Sequence, residues 1–315
     1  MPSSIVRTWG AGGAFGREFG LNALQRDARQ RRGHASASLI VGDRNIVIDA
    51  GAQCAEMMID NDAPLPEIVF LTHEHTDHYG GLDQLVHSRK RSLILAGGQP
   101  TPLTVVATEA CLRQAPRGVA LQLPHLDELV RWISIPKMNV WCLVDGASDG
   151  LTPSAAIDRP SVQTLVEFKA MRVFHTEAAP GACMYLFRIT EPDGGVKRVV
   201  FSGDFSSMDE SVLTDPDLQN VDMAVMETNT LETPGRGHST LARNLEILRQ
   251  WRCNDDAATA IMTHISGYED CADGSYDHVP NDNDWLAAID DARIRGEIPR
   301  GLKVEIARDG GSYPV

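Results

Sequence analysis

The stretch FLTHEHTDHYGG, Phe70 to Gly81, constrains this chain more than any other. It sets His73, His75, Asp77 and His78 within six positions, directly behind the apolar run Ile68-Val69-Phe70-Leu71. A short β-rich run of that kind forms a buried strand. Three imidazoles and a carboxylate are costly to bury unless something pairs with them, so the cluster points to a metal ion. In an extended chain the side chains at i and i+2 share a face, whereas on a helix they sit about 200° apart. His73 and His75 can therefore grip one ion if the chain stays extended through them. The glycines of HYGG then allow a turn that aims Asp77 and His78 at a neighbouring position, so one loop can serve two adjacent ions.

Two histidines do not complete a site. A catalytic zinc usually takes three protein ligands and keeps an open position, and a pair of ions about 3.5–4 Å apart needs a shared group. Further candidates stand at the ends of strand-like runs: His175 in RVFHT, Asp204 in FSGDFS and His264 in IMTHIS. Alone, a histidine at a strand end is ordinarily a hydrogen-bonded structural residue, and an aspartate after Ser-Gly a turn residue. Beside the first cluster they complete a set of five histidines and two carboxylates. His34, His87, His125 and His278 read as structural.

The rest of the chain frames this set. Its 315 residues, 43% of them hydrophobic, suffice for a sizeable core. Ile5–Trp9 reads as a strand followed by the glycine-dense GAGGAFG, a tight turn rather than a dinucleotide fingerprint, because Phe15 stands where the third glycine is required. SASLIVGD and NIVIDAG predict a hairpin around Gly42-Asp43. The pattern loosens over about residues 96–172, where Pro and Gly break short apolar pieces, and we read an elaborated region of one 1–315 domain there. FKAMRVFHT, CMYLFRIT and VKRVVFSGD follow as strands. HSTLARNLEILRQW spaces Leu241, Leu245 and Leu248 as an amphipathic helix, and AATAIMTHIS is one more strand. Strands mixed with helices throughout predict a layered α/β fold.

No run of eighteen apolar residues occurs, the start lacks a secretory-signal layout, and the six cysteines form no C-x-x-C pair. These features predict a cytoplasmic protein with no membrane partner. The net charge of −14 argues against a general nucleic-acid binder, and the clusters Arg26–Arg32 and Arg89–Arg91 read as solvated faces.

At the residues above the chain resembles the metallo-β-lactamase superfamily, whose H-x-H-x-D-H motif stands here as His73-Glu74-His75-Thr76-Asp77-His78. GAGGAFG, FHT…PGACMYLFRI, FSGD, GRGHST and THIS are similar to motifs of its phosphodiesterase branch, which includes ribonuclease Z and the cyclic-phosphate phosphodiesterase of phosphonate catabolism. The tail IPRGLKVEIARDG resembles the latter in particular. The resemblance implies an αββα sandwich of two mixed β-sheets flanked by helices, with the site along one edge. It assigns His73, His75 and His175 to one ion, Asp77, His78 and His264 to a second, and Asp204 to both, with His238 facing the substrate phosphate. Two departures stand out. REFGLNALQRDARQ lacks the cysteines of the cyclic phosphodiesterase's structural zinc site, and Met226 replaces the histidine of ribonuclease Z's H-E-A-T motif.

The expected activity is hydrolysis of small cyclic phosphates or nucleotides. Asp77 would orient or deprotonate the water, and His238 would protonate the leaving oxygen or bind a phosphoryl oxygen. Two divalent ions bring +4 and the aspartates −2, a local field that suits an anionic substrate although the molecule is acidic. Histidine-rich ligation suits zinc, and mixed N/O sites accept manganese. The motif alone does not fix the bond cleaved. A lactonase or thioesterase, or a non-hydrolytic biosynthetic or binding member, is therefore the alternative. Long RNA is not expected as substrate, and the related phosphodiesterases suggest a homodimer.

Overall fold

The computed structural model describes residues 4–12, 32–114, 126–144, 151–154, 164–232, 237–251, 253, 258–265, 269–270, 276–278 and 280–315. The strands are β1 Ser4–Gly10, β2 Ser36–Val41, β3 Arg44–Ile48, β4 Pro66–Phe70, β5 Leu103–Ala107, β6 Val130–Ser134, β7 Trp141–Leu143, β8 Leu165–Phe174 and β9 Cys183–Thr190. They continue with β10 Val196–Phe201, β11 Ser207–Met208, β12 Met223–Glu227, β13 Thr259–Thr263, β14 Glu269–Asp270, β15 Tyr276–His278, β16 Lys303–Ile306 and β17 Gly311–Pro314. One sheet runs β17-β1-β2-β3-β4-β5-β6 and the other β11-β8-β9-β10-β12-β13-β16, with β7 on β8 and β14-β15 a separate pair.

Both sheets are mixed in the same way. β1, β2 and β3 pair antiparallel, as the hairpin reading required, and β3 to β6 pair parallel. Likewise β8, β9 and β10 are antiparallel, and β10, β12, β13 and β16 parallel. The loosened stretch from residue 96 supplies β5 and β6 to the first sheet and β7 to the second, so it is built into the sandwich. Parallel strands need both faces covered, and the near-continuous apolar runs of β4, β5 and β13 meet that need.

Between the sheets Phe70 stands edge-on to Phe168, Tyr185 and Phe187, with ring centres 4.7, 5.1 and 5.3 Å away. Helices cover the outer faces. α1 Cys54–Asp60 and α3 Leu82–Leu95 bury Met58, Leu82, Leu85 and Val86 over the first sheet; between them in the chain lies the single turn α2 Thr76–Tyr79. α4 Leu241–Gln250 and α5 Asp282–Ile294 bury Leu241, Leu245, Leu248, Trp285 and Ile289 under the second. Thr240 caps α4 by accepting from the Arg243 amide, as its Ser-Thr start predicted. The layers are therefore α, β, β, α, two packed mixed sheets flanked by helices.

Surface charges behave as solvated or structural groups. Arg32 pairs with Asp282, and Arg89 donates to the Pro66 carbonyl; the other positions from 26 to 31 lie outside the described residues. Among the described residues no helix is long and apolar enough to cross a membrane.

Leu245 is 1% exposed beneath the second sheet and Leu95, at the end of α3, is 86% exposed. Leu245→Ala is expected to cost about 2–5 kcal/mol and Leu95→Ala under about 0.5 kcal/mol, read as shifts of the urea midpoint. Equal shifts would contradict the assigned packing of α4.

Candidate metal centre

The ligand-type side chains arrive at one edge because they follow the carboxyl ends of parallel strands. β3 leads to Asp49, β4 to His73, β10 to Asp204, β12 ends in Glu227, and β13 leads to His264. Beyond β4 the chain stays sheet-like. Leu71 N–H donates to the Val106 carbonyl at 2.9 Å, and Thr72 accepts from the Cys183 amide at 3.0 Å. His75 is still extended, at φ −77° and ψ 145°, so the His73 and His75 rings come within 4.7 Å of each other. The expected glycine turn is instead the helical turn α2, which carries Asp77 and His78 and leaves Gly80 and Gly81 after it. A helical turn also serves, since it ends the strict alternation of a strand and frees Asp77 and His78 from pointing to opposite faces.

Two further positions depend on left-handed backbone. Gly203 has φ +56°, and a Cβ there would sit 2.7 Å from Thr72 Cβ, so only glycine lets Asp204 enter beside the β4 loop. His264 itself has φ +57°. A bulky residue in that region costs on the order of 1–3 kcal/mol and persists where its surroundings demand it, most often at a working site.

Asp204 is the hub. Its Oδ2 lies 3.2 Å from His264 Nε2, 3.4 Å from His78 Nε2, 3.6 Å from His238 Nδ1, and 3.8 Å from both His73 Nε2 and His175 Nε2. Asp77 Oδ2 stands 3.3 Å from His264 Nε2 and 3.5 Å from His78 Nε2, and His75 Nδ1 is 3.2 Å from His175 Nε2. The ligand atoms of His73, His75 and His175 lie mutually within 4.8 Å, as do those of Asp77, His78 and His264 and those of His73, His78 and Asp204. All seven sequence candidates and His238 thus meet in one cluster.

Behind it, four of the rings are held by hydrogen bonds. His78 Nδ1 pairs with Asp49 Oδ2 at 2.7 Å, and Asp49 also accepts from the Thr72 amide and hydroxyl at 2.8 Å each. Thr72 Oγ1 is 3.1 Å from His73 Nδ1, and the Gly237 carbonyl accepts from His175 Nδ1. Glu227 Oε1 lies 3.0 Å from His238 Nδ1, while its Oε2 accepts from the Ser239 amide at 2.9 Å. Asn244, fully buried, donates to the Glu227 carbonyl and to Thr228 Oγ1 and accepts from Ser239 Oγ, which fixes the loop that carries His238. Asp49 and Glu227 were not foreseen from the sequence. Both stand at strand ends, the signal that marked Asp204, but Asp49 reads as part of the hairpin segment NIVIDAG, and beside Glu227 it is Met226 that draws notice.

The electrostatics follow from burial. Desolvation holds the His73, His75 and His175 imidazoles below the ordinary range, His175 at about 4, so these rings are neutral and offer lone pairs at pH 7. Burial also works against a charged His78, but Asp204, Asp49 and Asp77 together outweigh it and raise its pKa well above normal. Burial pushes the carboxyls of Asp77 and Asp204 up, and the surrounding imidazoles, His78 and His264 chief among them, overcome that and hold both well below the usual range. Burial and the neighbouring Asp204 raise Glu227.

The residues fit metal ions. Among the described residues, buried His73 Nε2 and His78 Nε2 have no hydrogen-bond partner, an arrangement that leaves desolvation uncompensated unless an ion completes it. The gaps of 3.2–3.8 Å around Asp204 exceed the roughly 2.7–2.9 Å of a charge-assisted hydrogen bond. Neutral His73, His75 and His175 and ionised Asp77 and Asp204 are already in the forms that coordinate, whereas at His78 an ion would take the place of the proton that its aspartates hold. Of the histidines read as structural, His87 pairs with Asp83 on exposed α3, and His125 and the His278 side chain lie outside the described residues. His34 lies beside Asp77, across Gly51.

A family profile described as the beta-lactamase superfamily domain matches residues 44–265. Among curated proteins, the zinc phosphodiesterase ELAC protein 2 homolog of Caenorhabditis elegans is 24% identical over 221 residues, which cover 63% of this chain but only 24% of that protein. Unliganded yeast PDE1 superposes with a TM-score of 0.66 at 14% identity, over 100% of both chains. A diphosphatase from the PhnP family superposes with a TM-score of 0.63 at 17% identity, covering 99% of this chain and 98% of that one. With the profile spanning most of the chain, the chain belongs to the beta-lactamase superfamily.

Proposed function

We propose that this chain, read as a single hydrolase domain, is a metal-dependent phosphodiesterase for small cyclic phosphates or nucleotides. His73, His75 and His175 would hold one divalent ion, Asp77, His78 and His264 a second, and Asp204 would be shared. Zinc is favoured by the five imidazoles, and manganese suits the two carboxylates. When bound, the ions supply Lewis acidity, lowering the pKa of water towards 7 and offsetting phosphoryl charge. The similarity to a zinc phosphodiesterase supports the same reading.

The observation that carries a phosphodiester, rather than a lactone, is the His238–Glu227 pair beside Asp204. His238 is 22% exposed, the position of a group that meets substrate, and Glu227 is buried behind it. Between Nδ1 and Oε1 the pair holds a proton, which fixes the ring and leaves Nε2 to serve the leaving oxygen or a phosphoryl oxygen. A phosphodiester presents both a charged phosphoryl oxygen and a leaving oxygen to such a donor, whereas a lactone brings a neutral acyl group. Asp77 Oδ2, 3.3 Å from His264 Nε2, would orient the water rather than take its proton, since its carboxyl is held well below the usual range. The five described cysteines are all buried and unbridged, in keeping with a reducing cytoplasm.

Assayed side by side with metal supplied, bis-p-nitrophenyl phosphate and 2′,3′-cyclic nucleotides should be cleaved in preference to a lactone; preference for the lactone would contradict the assignment. His238→Ala should lower kcat about 10²–10⁴-fold on an ester with a poor leaving group and far less on the p-nitrophenyl ester. Equal losses on both rule out proton donation. Asp49→Asn, which removes the carboxylate behind His78, should weaken metal affinity about 10–100-fold in chelator competition, and unchanged affinity would dismiss the orienting role of Asp49.

A further inference from the structure

His34 belongs to no element of the mechanism above, yet the fold reserves a seat for it. It precedes β2 and bridges to Gly12, whose amide donates to the Gly33 carbonyl at 2.8 Å. Asp309 clamps the two segments together, its Oδ1 accepting from the Ala11 amide at 2.9 Å and its Oδ2 from the Gly33 amide at 2.6 Å. A Cβ on Gly10 would lie 1.8 Å from the His34 carbonyl oxygen, so no side chain is tolerated there. A Cβ on Gly51 would meet His34 Cβ at 2.6 Å and the Asp77 carbonyl oxygen at 2.7 Å. The His34 side chain therefore leaves the backbone directly over Gly51, on the side of Asp77. The charges of Asp77, His78 and His264 all act on its ring.

The ring is half-buried, and among the described residues its buried Nδ1 has no hydrogen-bond partner. Asp77 and His264, beside which it stands, are 5% and 3% exposed, so His34 is the most exposed of the three. Two other imidazoles of the site reach solvent, and both are held internally: His75 by His175 at 3.2 Å, and His238 by Glu227 at 3.0 Å. A rigidly seated imidazole that is only half-buried, with no hydrogen bond from its ring to any of the described residues, keeps its exposed edge free for a molecule that enters the site.

Resting on the phosphodiesterase reading, we infer that His34 is a substrate-contacting residue. Its imidazole hydrogen-bonds the phosphoryl group from beyond Asp77, while His238 serves it from the other side of His264. The role is binding rather than proton transfer, because no carboxylate among the described residues is hydrogen-bonded to the ring as Glu227 is to His238.

The test uses the full chain loaded with metal, as wild type, His34→Ala and His34→Gln. Metal content is measured by elemental analysis, inorganic phosphate binding by calorimetric titration, and KM and kcat on bis-p-nitrophenyl phosphate. We expect His34→Ala to raise both the phosphate Kd and KM about tenfold, the effect of one lost hydrogen bond to a charged group, with kcat changed less than about threefold and metal content unchanged. His34→Gln, which restores a donor, should recover part of the loss. Unaltered phosphate Kd and KM in both variants overturn the assignment, and so does loss of metal in both, which would make His34 a ligand. A wild type that cleaves the lactone and no phosphodiester refutes the phosphodiesterase reading itself, and this one with it.

Discussion

One buried carboxylate oxygen organises this edge of the molecule. Asp204 Oδ2 is surrounded by five imidazole nitrogens at 3.2–3.8 Å, inside a protein where an isolated charge would cost several kcal/mol. Imidazoles alone repay that cost poorly, because desolvation keeps His73 and His175 neutral and leaves the burden to His78 and His264. Cations placed between the carboxylates and the neutral rings would satisfy both at once. Everything around the cluster, from the orienting contacts of Asp49 and Thr72 to the left-handed backbone at His264, makes sense as the cost of holding that arrangement in place.

The sandwich delivers these groups through topology. Each sheet joins an antiparallel half to a parallel half, and the parallel strands send their carboxyl ends to the same edge. Loops at carboxyl ends of parallel strands are where α/β sheets form their sites, since the crossover helices leave that end open. Sequence-distant residues then meet without long loops: Asp49, His73, Asp204, Glu227 and His264 are each at or within a few residues of such a strand end. The aromatic packing of Phe70 on Phe168, Tyr185 and Phe187 ties β4 to β8 and β9 just beneath the ligands. Core packing and site geometry are therefore the same constraint seen at two depths.

How much of this was legible in the sequence depended on whether the signal was local. The hairpin, the amphipathic helix with Leu241, Leu245 and Leu248, and the strands before His73, His175, Asp204 and His264 all announced themselves through periodicity and turn residues. The candidate cluster was legible because its members share one trait, a metal-capable side chain at or just beyond the end of an apolar run. Sheet order was not, because pairing such as β13 with β16 is decided by packing between distant segments. Asp49 and Glu227 were missed since their meaning comes from partners 29 and 11 residues away. His34 read as structural because nothing near it in the chain hints that Gly51 brings it against Asp77. The turn at Asp77 was expected from glycines and came instead from a helical turn, a difference of mechanism and not of outcome.

The most direct test of the account is the metal content of the purified chain against that of Asp204→Asn, by elemental analysis after dialysis in zinc or manganese. The account predicts about two divalent ions per wild-type chain and clear loss of both in the variant, with the sandwich intact by circular dichroism. A wild type that holds no ion, or a variant that keeps its full complement, would contradict the claim that Asp204 is the shared hub of a metal centre.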